Sequence, residues 1–251
     1  MLYQRTLAKS VKVTGLGLHS GKKVTMRLHP AEADFGVQFQ RTDLPERPMI
    51  RASATTVGAT ENNTTIGHGK SAIHTVEHLL SVFYGLGIDN VLCEIDGPEV
   101  PIMDGSGASF VFLLKEIGLQ TLNKSKKFLV VLEPVEVQVQ DKWARIEPAS
   151  RLFIDSTIVF AHPLIKSQNK SFEFSCENFI NEISRARTFG LLKDVDMLKR
   201  KGLIRGGSLD NAIVLDDFKV VNAEGLRFKD EFVRHKILDT LGDISLLGFE
   251  I

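Results

Sequence analysis

Two short strings in this 251-residue chain carry side chains that can do chemistry. One is His74-Thr-Val-Glu77-His78; the other is EFVRHKILDTLGD, residues 231–243, which holds His235, Asp239 and Asp243. Read with helical periodicity, the second string has two faces. Val233, Ile237, Leu241 and Ile244 form a core stripe, while His235, Asp239 and Asp243 stack at i, i+4 and i+8 with Lys236 beside them. One turn of helix can bring an imidazole nitrogen and a carboxylate oxygen onto one metal ion. An isolated H-x-x-x-D is more often a solvated face, so the weight falls on the upstream string. Its H-x-x-E-H pattern is that of the inverted zinc peptidases, in which both histidines bind zinc and the glutamate is the base. Two ligand sets compete. Either His74 and His78 bind together with a third ligand elsewhere, or His78 joins His235 and Asp239. The second set gives three protein ligands and one open position, the usual arrangement for catalytic zinc.

The elements that position these residues follow from pattern. Residues 3–50 alternate as β-structure around Leu7–Val13, Val24–Leu28 and Val37–Phe39. GLGLHSG at 15–21 lacks the Gly-Lys-Ser/Thr of a phosphate loop and reads as a glycine-rich turn between strands. The spacing predicts a helix opened by Ser71 and closed by Gly85 and Gly87, with Ile73, Val76, Leu80 and Phe83 as its core stripe. NVLCEIDG (90–97) reads as a buried strand, and Ser109 to Gly118 as a second helix. The lysine-rich run 119–127 is the expected domain boundary, after which strands resume at 128–140. Arg27-Leu-His-Pro-Ala31 is echoed by Arg145-Ile-Glu-Pro-Ala149, and in both halves a β-rich run precedes a helix bearing His and acidic residues. The expected fold is α+β: two similar domains, 1–122 with the HTVEH helix and 128–251, with the site between them. Residues 179–217 break the echo. An amphipathic segment, Lys193 to Lys201, ends at Gly202, and the strand-like NAIVL follows. Ordinary core and a pocket for a lipid chain both fit this apolar insertion, and composition alone favours core.

Lys+Arg and Asp+Glu balance at 31 each, so no global field draws nucleic acid or an anionic membrane. Cys93 and Cys176 fit no C-x-x-C pattern, which excludes a cysteine-rich zinc site and suits a reducing compartment. No apolar run is long enough to span a bilayer, and MLYQRTLAKS lacks the apolar core of a signal peptide. The expectation is a cytoplasmic globular protein with no stable membrane insertion.

The resemblance that these motifs carry is specific. H-T-V-E-H-L at 74–79, R-T-F-G at 187–190 and F-V-R-H-K-I-L-D-T-L-G-D at 232–243 resemble the zinc-dependent UDP-3-O-acyl-N-acetylglucosamine deacetylases of lipid A synthesis. G-L-G-L-H-S-G at 15–21, V-P-I-M-D-G-S at 100–106 and R-F-x-D-E-F-V-R-H-K at 227–236 match as well, so the likeness runs nearly end to end. It implies two layered α+β domains with the active site between them, and Zn2+ held by His78, His235 and Asp239. His74 is then a partly buried helix residue and not a ligand.

The implied reaction removes the N-acetyl group of a UDP-linked, 3-O-acylated glucosamine, a small-molecule substrate, as acetate. Zinc would activate water and polarise the carbonyl; Glu77 would be the general base. Thr188 and Lys236 would stabilise developing negative charge, and Asp243 would orient a catalytic imidazole. Residues 188–214 match an insertion that forms a hydrophobic passage for the acyl chain, with Phe189, Leu192, Val195 and Ile204 as lining. Lys142 and Phe160 match positions near the UDP-sugar. The family's further histidine, its proton donor to the leaving amine, lies in a G-H-x-x-N-like segment that would fall past Ile251; the expectation is a fragment, the alternative a weakened enzyme in which Glu77 serves as both base and acid. Two rivals remain: a zinc peptidase using H-x-x-E-H, and a non-catalytic metal-stabilised binding module for UDP-sugars.

Overall fold

The computed structural model describes residues 2–200 and 202–251. Strands β1 (Tyr3–Leu7), β2 (Val11–Leu16), β3 (Lys23–Pro30), β4 (Val37–Arg41) and β5 (Met49–Arg51) come first, then helix α1 (Glu77–Leu86). Strand β6 (Val91–Ile95), helix α2 (Ala108–Ile117) and strand β7 (Leu119–Ser125) complete the first half. A five-stranded sheet in the order β2-β3-β6-β4-β5 is antiparallel except for β4 beside β6, and β1 pairs with β7. The GLGLHSG run is the expected turn from β2 to β3, closed by the Gly17 N–H on the Lys22 carbonyl at 2.9 Å.

The second half opens with two antiparallel pairs. β8 (Val135–Val139) joins β9 (Lys142–Ile146), and β10 (Phe153–Phe160) joins β11 (Lys166–Glu173). A helical turn, α3 (Cys176–Asn178), leads to the expected β-α-β insertion. This comprises β12 (Phe189–Leu191), α4 (Leu192–Arg200) and β13 (Ile213–Leu215), with β12 parallel to β13. Lys201, the expected last residue of the helical segment, lies outside the described residues. Helix α5 (Glu231–Ser245) follows. The echoed pentapeptides start on the second strand of a hairpin in each half, β3 after β2 and β9 after β8.

Two expectations are corrected. The run 119–127 is largely strand β7, registered Leu7 to Leu119 against the chain's first strand, not a polar break. Helix α1 starts at Glu77, six residues later than Ser71. Ser71 caps nothing there; its hydroxyl donates to the His68 carbonyl at 2.9 Å. Thr75 has φ +58, a left-handed backbone that no helix can pass through. His74 before it is a bridge residue beside Glu99, with its N–H on the Pro98 carbonyl at 2.8 Å. The HTVEH string therefore does not lie on one helix.

Every residue of α1 is buried: the helix packs along α5, and its apolar residues share one core with Val24, Met26 and Phe39 of the sheet. The predicted stripe of Ile73, Val76, Leu80 and Phe83 is core throughout. Helix α5 ties two cores together. Ile237, Leu238 and Leu241 join the core of the first half, while Phe232 and Val233 join a second cluster with Ile158, Ile213 and Leu215. The helices meet at Gly242, where an added Cβ would overlap the backbone carbonyl of Glu77. Gly242→Ala is therefore expected to lower stability by about 1–3 kcal/mol through overpacking, a melting shift of several degrees. Gly190→Ala, with nothing within 4 Å of its added Cβ, is the control.

Candidate metal centre

The crossing of α1 and α5 sets the first turn of one helix against the middle of the other. His78 enters from α1, and His235 and Asp239 enter one turn apart from α5. Nε2 of His78 lies 3.5 Å, and Nε2 of His235 3.4 Å, from the same oxygen, Asp239 Oδ1. The rings stand edge to face with centroids 4.8 Å apart. The ligand atoms of the three residues lie within 4.8 Å of one another, and this is the only such group found among the described residues.

The polar atoms show what the geometry suits. His235 Nδ1 lies 3.0 Å from the buried Ala186 carbonyl. A carbonyl only accepts, so Nδ1 carries the proton and Nε2 presents a lone pair. Asp239 Oδ1 is buried without a hydrogen bond, although two imidazole nitrogens face it. Such an atom is costly unless a further partner serves it. A tetrahedral ion with ligand bonds near 2.0–2.1 Å would hold its donors roughly 3.3 Å apart. The observed spacings of 3.4 and 3.5 Å fit that requirement.

Protonation states agree. Burial, and then the neighbouring His235, push His78 down to about 3, and burial also lowers His235. Burial works to raise Asp239, but the surrounding positive groups hold it at about 2. The lowering comes from His235, Lys236 and His78 in that order, and the Lys236 ammonium lies 2.8 Å from Oδ2. Two neutral imidazoles and one carboxylate are the forms in which these side chains bind a divalent cation.

Glu77 precedes His78 and is buried, with Oε2 accepting the Thr64 N–H at 3.0 Å. Burial, reinforced by the charge of Asp239, pushes its carboxyl up to about 8. Asp243 is exposed by surface area but packed by protein on its inner side, which together with the Asp239 charge raises its carboxyl, and it accepts the Thr64 hydroxyl at 2.7 Å. Thr64 thus links Glu77 to Asp243. Its backbone donor gives no sign in the sequence, and no imidazole contacts Asp243 among the described residues.

The remaining expected residues are unequally placed. Phe189 lies at the centre of an aromatic group, 5.5 Å from Phe160, 5.0 Å from Phe232 and 6.4 Å from His235 between centroids. Lys236 Nζ lies 5.6 Å from the Phe189 centroid. Thr188 is fixed through its backbone: its N–H donates to Gly105 and its carbonyl accepts from Ile213. Leu192 opens α4 and is exposed, while Val195 and Ile204 are half-buried. Lys142 stands exposed on the β8–β9 hairpin, with no hydrogen bond or ion pair to the other site residues among the described residues.

The family described as LpxC: UDP-3-O-acyl N-acetylglycosamine deacetylase matches residues 4–251. The chain belongs to this family. A UDP-3-O-acyl-N-acetylglucosamine deacetylase of Citrifermentans bemidjiense is 50% identical over 251 residues, covering 100% of this chain and 82% of that protein. Enzymes of the same name from Thioalkalivibrio sulfidiphilus (49%) and Haemophilus influenzae strain PittEE (48%) each cover 100% of this chain and 83% of their own length. Like its family, the chain is a metalloenzyme. It hydrolyses the N-acetyl amide of UDP-3-O-acyl-N-acetylglucosamine, a small-molecule UDP-sugar, in lipid A biosynthesis. Among the described residues no helix is long and apolar enough to cross a membrane.

Proposed function

We propose that His78, His235 and Asp239 hold one zinc ion at which the acetyl amide is hydrolysed, with Glu77 as general base. The observation that carries this reading is the convergence of both imidazole Nε2 atoms on one unpartnered Asp239 oxygen at 3.4–3.5 Å. When bound, zinc supplies a Lewis acid for the acetyl carbonyl and makes water acidic enough to attack near neutral pH. His235 offers Nε2 because the Ala186 carbonyl holds its other proton. Glu77, adjacent in sequence to His78, takes the attacking water's proton. A bound divalent ion would oppose the two effects that raise the Glu77 pKa and so favour its ionised, proton-accepting form.

As the C–O bond forms, the carbonyl π electrons move onto oxygen. Thr188 and the Lys236 ammonium stabilise that negative charge. Collapse breaks the C–N bond, and the proton held by Glu77 returns to the departing nitrogen, giving acetate and free amine. Asp243, tied through Thr64 to Glu77, steadies the base. Phe189, Leu192, Val195 and Ile204 line the acyl passage, where each buried CH₂ contributes about 0.8 kcal/mol before ordering costs. Phe160 stacks and Lys142 pairs with the UDP portion. The two domains divide between residues 122 and 128, and the protein works in the cytoplasm, without nucleic-acid partners or stable membrane insertion.

The test compares metal-free protein with and without one equivalent of Zn2+, alongside His74→Ala. Zinc is expected to restore acetate release, and His74→Ala to keep stoichiometric zinc, because its Nδ1 meets Thr65 Oγ1 at 2.9 Å and not the triad. Loss of zinc in His74→Ala would favour the peptidase-type ligand set instead.

A further inference from the structure

The peptide unit between Ala186 and Arg187 is hydrogen-bonded at both ends. Its carbonyl accepts from His235 Nδ1 at 3.0 Å, and its N–H donates to Glu231 Oε1, also at 3.0 Å. Glu231 sits one helical turn before His235 on α5 and is wholly buried. Its carboxylate is paired with the Arg187 guanidinium, with Nε at 3.0 Å from Oε1, and also receives the Arg227 N–H at 2.5 Å. Arg187 is itself held by Glu224 and by the Gly225 carbonyl, each at 2.7 Å. One residue further on, Thr188 N–H donates to Gly105 at 2.7 Å. The peptide therefore has little freedom to tilt.

We propose that Glu231 is a positioning residue for the metal site, acting on His235 through this single peptide unit. A negative charge at the N–H end of a peptide polarises its carbonyl and makes it a stronger acceptor. Histidine ligands commonly donate their second N–H to a carboxylate or a carbonyl, which fixes the tautomer and raises the basicity of the ligating nitrogen. Here carboxylate and carbonyl act in series: Glu231, the 186–187 peptide, then His235. The arrangement keeps the His235 proton on Nδ1 and the Nε2 lone pair facing Asp239. The guanidinium neutralises the buried carboxylate, so the charge can stay inside the protein without moving the proton of the peptide–histidine pair.

This inference rests on His235 being a metal ligand, so the experiment tests that first. Zinc affinity is measured by chelator competition in the full chain for wild type, His235→Ala, Glu231→Gln and Arg187→Lys, with melting temperatures recorded in parallel. If wild type binds no zinc, or His235→Ala binds as tightly, the reading of the site fails. With that reading intact, Glu231→Gln is expected to weaken zinc binding about 10–100-fold, the usual effect of losing a ligand's outer partner. Arg187→Lys keeps the backbone N–H on Glu231, so it should lose melting temperature yet hold zinc affinity within about threefold. A Glu231→Gln protein that melts lower but binds zinc as tightly as wild type would reduce Glu231 to a structural role and overturn the proposal. If Glu231→Gln does not fold, the ¹⁵N spectrum of metal-free wild type decides. A proton on His235 Nδ1 supports the relay, and a proton on Nε2 overturns it.

Discussion

Glu77→Gln is expected to bind zinc as tightly as wild type while turning over about 10²–10⁴-fold more slowly. The substitution keeps shape and still offers an oxygen to the Thr64 N–H, so α1 and His78 stay in place. What disappears is the group that can take the water's proton. Stoichiometric metal with lost acetate release also separates catalysis from a binding module, since a structural ion needs no base. Metal-free protein gives a second readout. The Glu77 carboxyl is raised from an ordinary 4.5 to about 8, so the folded state binds the extra proton across that range. Stability from this group is full below about pH 4.5 and is lost as pH rises towards 8. Between pH 6.5 and 8.5 the melting temperature of metal-free wild type should fall more than that of Glu77→Gln, and equal slopes would contradict the assigned burial of the carboxylate.

Asp239→Ala should abolish both zinc and turnover. Removing an outer partner of a ligand costs about 10–100-fold in affinity, so removing a ligand should cost more than 100-fold. The loss is compounded by Lys236, whose ammonium is held 2.8 Å from Asp239 Oδ2. Without that carboxylate it becomes an uncompensated cation beside the site, repelling a divalent ion. Metal analysis after gel filtration at micromolar protein is the check. Retained stoichiometric zinc would mean that the ion sits elsewhere.

The part of this site built from side chains was legible in the sequence. The i, i+4 spacing of His235 and Asp239 and the apolar stripe of α5 follow from helical period alone, and the structure places both as read. Legibility failed where backbone decides. Ser71 looked like a cap and His74 like a helix residue because the apolar pattern from Ile73 onward is helical. The left-handed Thr75 and the bridge from His74 to Glu99 instead delay the helix to Glu77. The run 119–127 looked like a linker because its side chains are polar. Its strand pairs on the chain's edge, where polar side chains are tolerated while backbone groups bond to β1. Thr64, Ala186 and the peptide beside Glu231 serve the site through backbone groups, which residue type does not reveal. The resemblance added what spacing left open, the choice of His235 and Asp239 over His74 as partners of His78; His74 itself lies outside helix α1.

The most direct measurement is anomalous diffraction at the zinc edge from crystals of the zinc-loaded protein. One strong peak is expected about 2.0–2.2 Å from His78 Nε2, His235 Nε2 and an Asp239 oxygen, with the Glu77 carboxylate beside its open side. A sole peak bound by His74, or one that omits Asp239, would contradict that ligand set.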